Sequence, residues 1–294
     1  MKVRIGFGLG TRTDAGGPGG FKSMVDGLER RGFDSLWLSE RISGRCLDPV
    51  VGLSVAAGRT EKLKLGFSVL VLPGRKPAIL AKELASLDVL SEGRLLPAFG
   101  LGAVDAIEHK AFGVERGERA ALFDQNLSKL RGWWAGEEVD GIRVPPKPTG
   151  KMEVWLGGFA PSELRRVGRS GDGWLPSFCT PESVAASLPV VHEAAAAAGR
   201  VVDDEHIGAL VPYLTGGGPV PDVLAAIIAK RNPDADPGRV VPTSLNALRL
   251  LLADFVAAGA SKFVLVPIAD PTEWDAELGT LAEAVLPMQR SLST

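Results

Sequence analysis

The chain has 294 residues, of which 45% are hydrophobic and 23% charged, and its formal net charge is −2. This composition is typical of a folded globular protein and excludes a disordered chain. The lack of a basic excess disfavours nucleic-acid binding, because a protein that binds along a duplex must neutralise its phosphates.

The same sequence predicts a cytoplasmic protein with no membrane association. It contains no run of about 18 apolar residues that could cross a bilayer, and the first ten residues lack the pattern of a signal peptide. The two cysteines, Cys46 and Cys179, lie far apart. We therefore expect neither a disulfide nor a structural metal site.

Apolar runs that predict strands alternate with segments of helical periodicity along the whole chain. The predicted strands cover residues 3–8, 33–38, 63–72, 95–100, 153–156, 171–176, 206–213 and 262–267. The predicted helices cover residues 21–31, 48–56, 77–90, 117–134, 161–170, 181–199, 220–230, 243–258 and 272–290. Asp48 is the expected N-cap of the second helix, with Pro49 at its first position.

This alternation predicts a single (β/α)8 TIM barrel over residues 1–294. Residues 103–152 are longer than a simple strand-to-helix connection, and we expect them to lie over the pocket mouth after strand four. The structural alternative is a doubly wound open sheet, which would need about six strands and a switch in strand order.

Small residues dominate the predicted strand exits, where a barrel places its active site. They favour a large, flat, anionic ligand held by backbone amides. Gly157 and Gly158 precede a helix whose first turn contains Pro161, which is the form of a phosphate cradle. A Gly-Gly pair before a helix is also consistent with a bare turn.

Several segments together resemble the bacterial luciferase-like monooxygenase superfamily, and more narrowly its coenzyme F420-dependent oxidoreductases. They are SLWLSER, DPVVGLSVAAGRT, LGFSVLVLPGRKPAILAKELASLDVLSEGRLLPAFGLGA, VWLGG and RRVGRSGDGWLP. The resemblance covers roughly residues 1–180, and beyond them it depends on the barrel pattern.

The resemblance implies a cofactor site at the strand exits. Ser68-Val69 matches a non-prolyl cis peptide that lies against the deazaflavin ring. The predicted contacts with the ring edge and its side chain are Gly100, Gly102 and Ala103, and the predicted phosphate turn is Gly157, Gly158, Phe159 and Ala160. The alternative for Ser68-Val69 is an ordinary end of a buried strand.

Ser39, Glu40 and Arg41 match a family segment commonly written Ser-Asp-His, and they are the candidate catalytic residues. Here Arg41 replaces the histidine, and arginine stays charged at any working pH. We expect Glu40 to orient the ring or move a proton, and Arg41 to pair with Glu40 or with an anionic substrate. A solvated surface ion pair is the alternative.

The predicted function is therefore hydride transfer between coenzyme F420 and an unidentified small organic substrate, by a homodimer. An FMN-dependent monooxygenase of the same superfamily is the first alternative, because backbone amides can bind the phosphate of either cofactor. A catalytically silent barrel that binds a cofactor is the second, since the histidine is replaced at position 41.

Overall fold

A computed structural model describes residues 1–291, so the last three residues of the predicted domain lie outside it. The strands are β1 (Arg4–Leu9), β2 (Ser35–Leu38), β3 (Lys64–Phe67), β4 (Leu70–Val71), β5 (Leu95–Leu96), β6 (Ala98–Gly100), β7 (Trp155–Leu156), β8 (Gly173–Trp174), β9 (Gly208–Tyr213) and β10 (Lys262–Pro267). The helices are α1 (Gly17–Arg31), α2 (Pro49–Ala57), α3 (Pro77–Leu90), α4 (Ala106–Phe112), α5 (Arg119–Ala135), α6 (Pro161–Ser170), α7 (Pro181–Ala197), α8 (Asp222–Arg231), α9 (Leu245–Ala257), α10 (Trp274–Val285) and α11 (Pro287–Ser291).

The strands form a closed parallel ring, which confirms the predicted TIM barrel. Six strands pair in the order β5-β3-β2-β1-β10-β9, and four pair in the order β4-β6-β7-β8. β3 continues into β4 and β5 into β6, so the two sheets join on one side. Parallel bridges between Trp174 and Ile207 and between Ser177 and Leu210 join them on the other. The carboxyl ends of all strands therefore meet at one mouth.

Two predicted strands are interrupted. The run at residues 63–72 divides into β3 and β4 at the Ser68-Val69 peptide, which is cis. The run at residues 95–100 divides into β5 and β6 at Pro97, which has no N–H to donate to a ladder. The third and the fourth barrel strand are thus each built from two short strands.

The predicted helices are present with small changes at their ends. Asp48 caps α2 as expected, because its Oδ1 accepts from the Val51 N–H at 3.0 Å. The predicted terminal helix ends at Val285, and α11 begins at Pro287. The short helix α4 lies in the 103–152 segment and was not predicted.

Two tryptophans fill the barrel interior. Trp37 and Trp155 are buried and meet edge to face, with ring centroids 6.3 Å apart. Glycines leave room for them: a Cβ on Gly66 would lie 2.3 Å from Trp37, and one on Gly173 would lie 2.5 Å from Trp155. The interior is a packed core, so a ligand has room only towards the mouth.

A buried ion pair lies at the amino-terminal end of the barrel. The Lys262 ammonium pairs with Asp34 and lies 5.6 Å from the centre of the Trp37 ring. Burial lowers the pKa of Lys262 to about 8, although Asp34 opposes the shift. The outer helices complete the fold, and none of those described in residues 1–291 has the length and apolar character needed to cross a membrane.

The Lys262 pKa predicts a pH-dependent stability. Between about pH 8 and the ordinary lysine value of 10.5, the unfolded chain binds more protons than the folded one, so this group makes stability rise with pH. Lys262→Met should remove about 1 to 3 kcal/mol of that rise, measured by urea unfolding from pH 7.5 to 10.5. Lys64→Met, at the half-exposed neighbour of Asp34, should retain most of it. Equal pH slopes for wild type and Lys262→Met would contradict the assignment.

Candidate functional site

A wall of small residues surrounds Val69 at the barrel mouth. A Cβ on Gly100 would lie 2.6 Å from Val69 Cγ2, and one on Gly157 would lie 3.3 Å from Val69 Cγ1. These three predicted cofactor residues, from three different strand exits, therefore meet. The Val69 side chain therefore lies against two glycine backbones, in the space that side chains at positions 100 and 157 would need.

Ser39 fixes the start of this wall. Its Oγ lies 3.1 Å from both the carbonyl oxygen and the Oγ of Ser68, and Ser39 is 8% exposed. The exit of β2 is thereby joined to the break between β3 and β4. The cis peptide expected at Ser68-Val69 is confirmed.

Glu40 is buried and faces the next strand. Its Oε2 accepts from the Val71 N–H at 2.6 Å, its Oε1 pairs with Arg75, and its side chain is 2% exposed. The alternative of a solvated surface pair is therefore wrong for Glu40. Burial raises the pKa of Glu40, and the Arg75 guanidinium opposes this shift. Through the Val71 N–H and Arg75, Glu40 thus holds β4 in position.

Arg41 does not pair with Glu40, so that part of the prediction is wrong. Its Nη2 donates to Asp105 Oδ2 at 2.6 Å, and its side chain is 37% exposed. Asp105 also caps α4, and the Ile107 N–H together with Arg41 lowers the pKa of this carboxyl. The next acid, Glu108, accepts from the N–H groups of Ile42 and Ser43. The loop after β2 is thus fastened to α4.

The loop after β6 runs beside the ion pair of Arg41 and Asp105. Gly102 has a φ of +84°, which favours glycine, and a Cβ there would also lie 2.9 Å from Val71 Cγ1. Arg119 Nη1 donates to the carbonyls of Leu101, Gly102 and Ala103, at 3.3, 3.0 and 3.1 Å. A single guanidinium therefore binds the backbone of the predicted ring-edge residues Gly102 and Ala103.

The turn after β7 differs from the predicted phosphate cradle. Glu163 Oε2 accepts from the N–H groups of Phe159 and Ala160, at 2.8 and 2.9 Å. A phosphate cradle needs free N–H groups, and those of Phe159 and Ala160 are already bound to this carboxylate, so that part of the prediction is wrong. On the other side, the Trp174 indole donates to the Gly158 carbonyl at 2.9 Å and keeps the turn rigid.

The family match covers most of the chain that forms this site. The luciferase-like monooxygenase family matches residues 3–217. The chain belongs to this family. The match includes every candidate residue of the mouth and continues past the region on which the sequence resemblance depended.

Two named proteins are similar to this chain over part of its length. An F420-dependent glucose-6-phosphate dehydrogenase of Nocardia farcinica is 29% identical over 201 residues, which are 60% of this chain and 58% of that protein. A phthiodiolone/phenolphthiodiolone dimycocerosates ketoreductase of Mycobacterium kansasii is 30% identical over 161 residues, 50% of this chain and 43% of that protein. The matched region thus spans about half the length of these relatives.

A solved structure agrees with the luciferase-like fold over the whole chain. An F420-dependent secondary alcohol dehydrogenase in complex with an F420-acetone adduct superimposes with a TM-score of 0.79 at 17% identity, covering 99% of this chain and 100% of that one. At this identity the likeness concerns the fold alone.

Sequence reasoning missed four charged residues that shape this luciferase-like site: Arg75, Asp105, Glu108 and Arg119. Arg75 lies 35 residues from its partner Glu40, and Asp105 lies 64 residues from Arg41. The periodicity of a short stretch of sequence does not indicate pairs of residues that lie this far apart in the chain. The Asp105-Ala106-Ile107-Glu108 run was the one available signal, since an Asp before an acidic first turn is typical of a helix start.

We predict that Glu40 and Arg75 stabilise the fold as a pair. Glu40→Gln should lower the free energy of unfolding by about 1 to 3 kcal/mol, because it removes the nearer and more buried of the two carboxylates that pair with Arg75, the other being Asp48 at 3.6 Å. In a double-mutant cycle with Arg75→Met, measured by urea unfolding, the coupling energy should also be about 1 to 3 kcal/mol. Additive effects would show that the pair does not hold β4.

Proposed function

We propose that this protein is a cytoplasmic oxidoreductase that transfers a hydride between coenzyme F420 and a small organic substrate. The observation that carries the proposal is the packing of two glycine backbones, Gly100 and Gly157, against Val69 at the mouth of a luciferase-like barrel. The relatives named as F420-dependent support F420 as the cofactor.

The residues at the mouth fit the ring of such a cofactor. Ser68, Val69, Gly100 and Gly157 would lie against its face, and Gly102 and Ala103 would lie along its edge. Phosphate binding at Gly158, Phe159 and Ala160 would require Glu163 to release the two N–H groups that it holds. The fit is therefore good for the ring and incomplete for the phosphate.

Bound F420 would accept the hydride at its C5 position, and its reduced form would donate a hydride from the same position. Ser39 and Glu40 would keep the wall in place through Ser68 and Val71. Arg41 lies at the mouth with its guanidinium partly exposed, and it would bind an oxygen or an anionic group of the substrate. Since arginine keeps its proton, Arg41 would position the substrate and stabilise charge without transferring a proton.

A fluorescence titration with F420 and with FMN tests the cofactor. We expect F420 to bind with a micromolar dissociation constant and FMN to show no saturable binding. The reverse result would identify an FMN-dependent enzyme and overturn the choice of F420. Binding of neither cofactor would overturn both enzymatic functions.

Gly157→Asp should abolish F420 binding, because its side chain would enter the space beside Val69 where the ring would lie. Gly150→Asp is the matched control, since it adds the same charge at a glycine with open space around it. Thermal unfolding should show that both variants fold. Unchanged affinity in the folded Gly157→Asp variant would show that the ring binds elsewhere.

We also propose that the protein is a homodimer that associates through α2 and α3. These helices pack against each other, and they leave Val51, Val55 and Ile79 exposed by 64%, 42% and 59%. The α2 sequence PVVGLSVAA has no charged residue. An apolar helix at the surface is typical of a face that another subunit covers.

Sedimentation equilibrium tests this association. Val51→Asp should raise the dimer dissociation constant by about 10-fold or more, because it places a charge in an apolar interface. Val201→Asp, at a valine that is 88% exposed outside these helices, should leave it unchanged. A monomeric wild-type protein at micromolar concentration would overturn the proposed dimer.

A further inference from the structure

Arg119 binds three successive carbonyls of the loop after β6. Its guanidinium Nη1 lies 3.3, 3.0 and 3.1 Å from the carbonyl oxygens of Leu101, Gly102 and Ala103. Arg119 is the first residue of α5 and is 8% exposed. A buried cation therefore pulls three consecutive peptide oxygens to one side of the loop.

The peptide geometry fixes where the opposite ends of these groups point. The three peptides are trans, and in a trans peptide the C=O and the following N–H point in opposite directions. The N–H groups of Gly102, Ala103 and Val104 therefore point away from Arg119. Within residues 1–291, none of these three groups donates to another protein atom.

These N–H groups belong to the loop that borders the ring wall. Gly100 packs on Val69, and Gly102 packs on Val71, at the exit of the interrupted third barrel strand. Three unengaged donors in succession can bind oxygen or nitrogen acceptors at the edge of a ring.

Within residues 1–291, Arg119 is the one side chain that hydrogen-bonds to these three carbonyls. A small pocket beside the loop, lined in part by Gly102, Ala103, His109, Phe112 and Arg119, has room for about one water molecule. The guanidinium therefore sets the position of the loop together with the packing of Gly102 on Val71 and the ion pair between Asp105 and Arg41.

We propose that Arg119 is a positioning residue for the cofactor. It holds the carbonyls of Leu101, Gly102 and Ala103, and so presents the next three peptide N–H groups to acceptor atoms on the edge of the bound ring. This inference rests on the proposed function, and it assigns Arg119 no direct contact with cofactor or substrate.

Arg94 provides a matched control at the other end of the barrel. It also donates to three carbonyls, those of Ser91, Leu63 and the last residue of α2, Ala57, at 2.7, 2.9 and 3.0 Å. It precedes β5 and therefore lies at the amino-terminal end, away from the mouth. Replacing either arginine by alanine removes a guanidinium that binds three backbone carbonyls, but only Arg119 lies beside the predicted ring site.

The test compares F420 binding by Arg119→Ala and Arg94→Ala. Arg119→Ala should raise the F420 dissociation constant by roughly 10- to 100-fold, since several hydrogen bonds to the ring lose their alignment. Arg94→Ala should change it by less than about threefold, although it also loses buried hydrogen bonds and some stability. Arg119→Lys keeps the charge with a single point donor and should restore part of the affinity. Wild-type affinity in Arg119→Ala would overturn the inference.

A second measurement separates this inference from the proposed function. If wild type binds no F420, the proposed cofactor is wrong. The role of Arg119 is then tested by ¹⁵N relaxation of the backbone amides of Gly102, Ala103 and Val104. Their order parameters should fall from about 0.85 to below about 0.6 in Arg119→Ala and stay high in Arg94→Ala. Equal values in the two variants would overturn the positioning role. If Arg119→Ala does not fold, Arg119→Lys gives the same comparison with smaller effects.

Discussion

The packing of Trp37 against Trp155 is the constraint on which the rest of the structure depends. The two indoles fill the barrel interior, and glycines on the surrounding strands make room for them. Since a packed core leaves no channel along the axis, any ligand must bind above it at the mouth. The wall of the mouth is then formed by the next residues towards the strand exits, Val69, Gly100 and Gly157.

Charged side chains hold the loops around this mouth. Glu40 and Arg75 fasten β4, Arg41 and Asp105 join the loop after β2 to α4, and Arg119 supports the loop after β6. The Glu40 and Arg119 side chains are buried, where losing one partner costs more than at the surface. Arg41 is the partly exposed member, so it can exchange its contact with Asp105 for one with a ligand at little cost. The mouth thus combines a fixed wall with one adaptable cation.

The sequence predicted the barrel because its strands and helices leave short-range signals. Runs such as Phe263 to Pro267 are apolar throughout, as expected for strands covered on both faces, and the strand Lys262–Pro267 has the predicted bounds. Strands three and four are both interrupted, and apolar runs alone did not predict this, because such a run looks the same with or without a break in its ladder. Only the resemblance indicated the cis peptide at Ser68-Val69, where strand three is interrupted. Pro97 was a visible signal for the interruption of strand four, since proline cannot donate to a ladder.

The candidate site was predicted in part. The resemblance brought Ser39, Ser68, Val69, Gly100 and Gly157 into one site, and the structure places Ser39 beside Ser68 and Val69 between the two glycines. The resemblance gave no information on which charged side chains form ion pairs. Arg41 was expected to pair with Glu40 or with an anionic substrate, but Glu40 pairs with Arg75 and Arg41 with Asp105. Glu163 takes the N–H groups that were expected to be free, as the third residue of a helix often does.

The amino-acid sequence by itself determined the alternation of strands and helices, the small residues at the strand exits and the family resemblance. These follow from chain-local properties: apolar periodicity, missing side chains and contiguous motifs. Only the tertiary structure decided which carboxylate meets which guanidinium and which backbone N–H groups remain free. Those choices depend on distances between residues far apart in the chain and on burial, which sets how strongly each charge requires a partner.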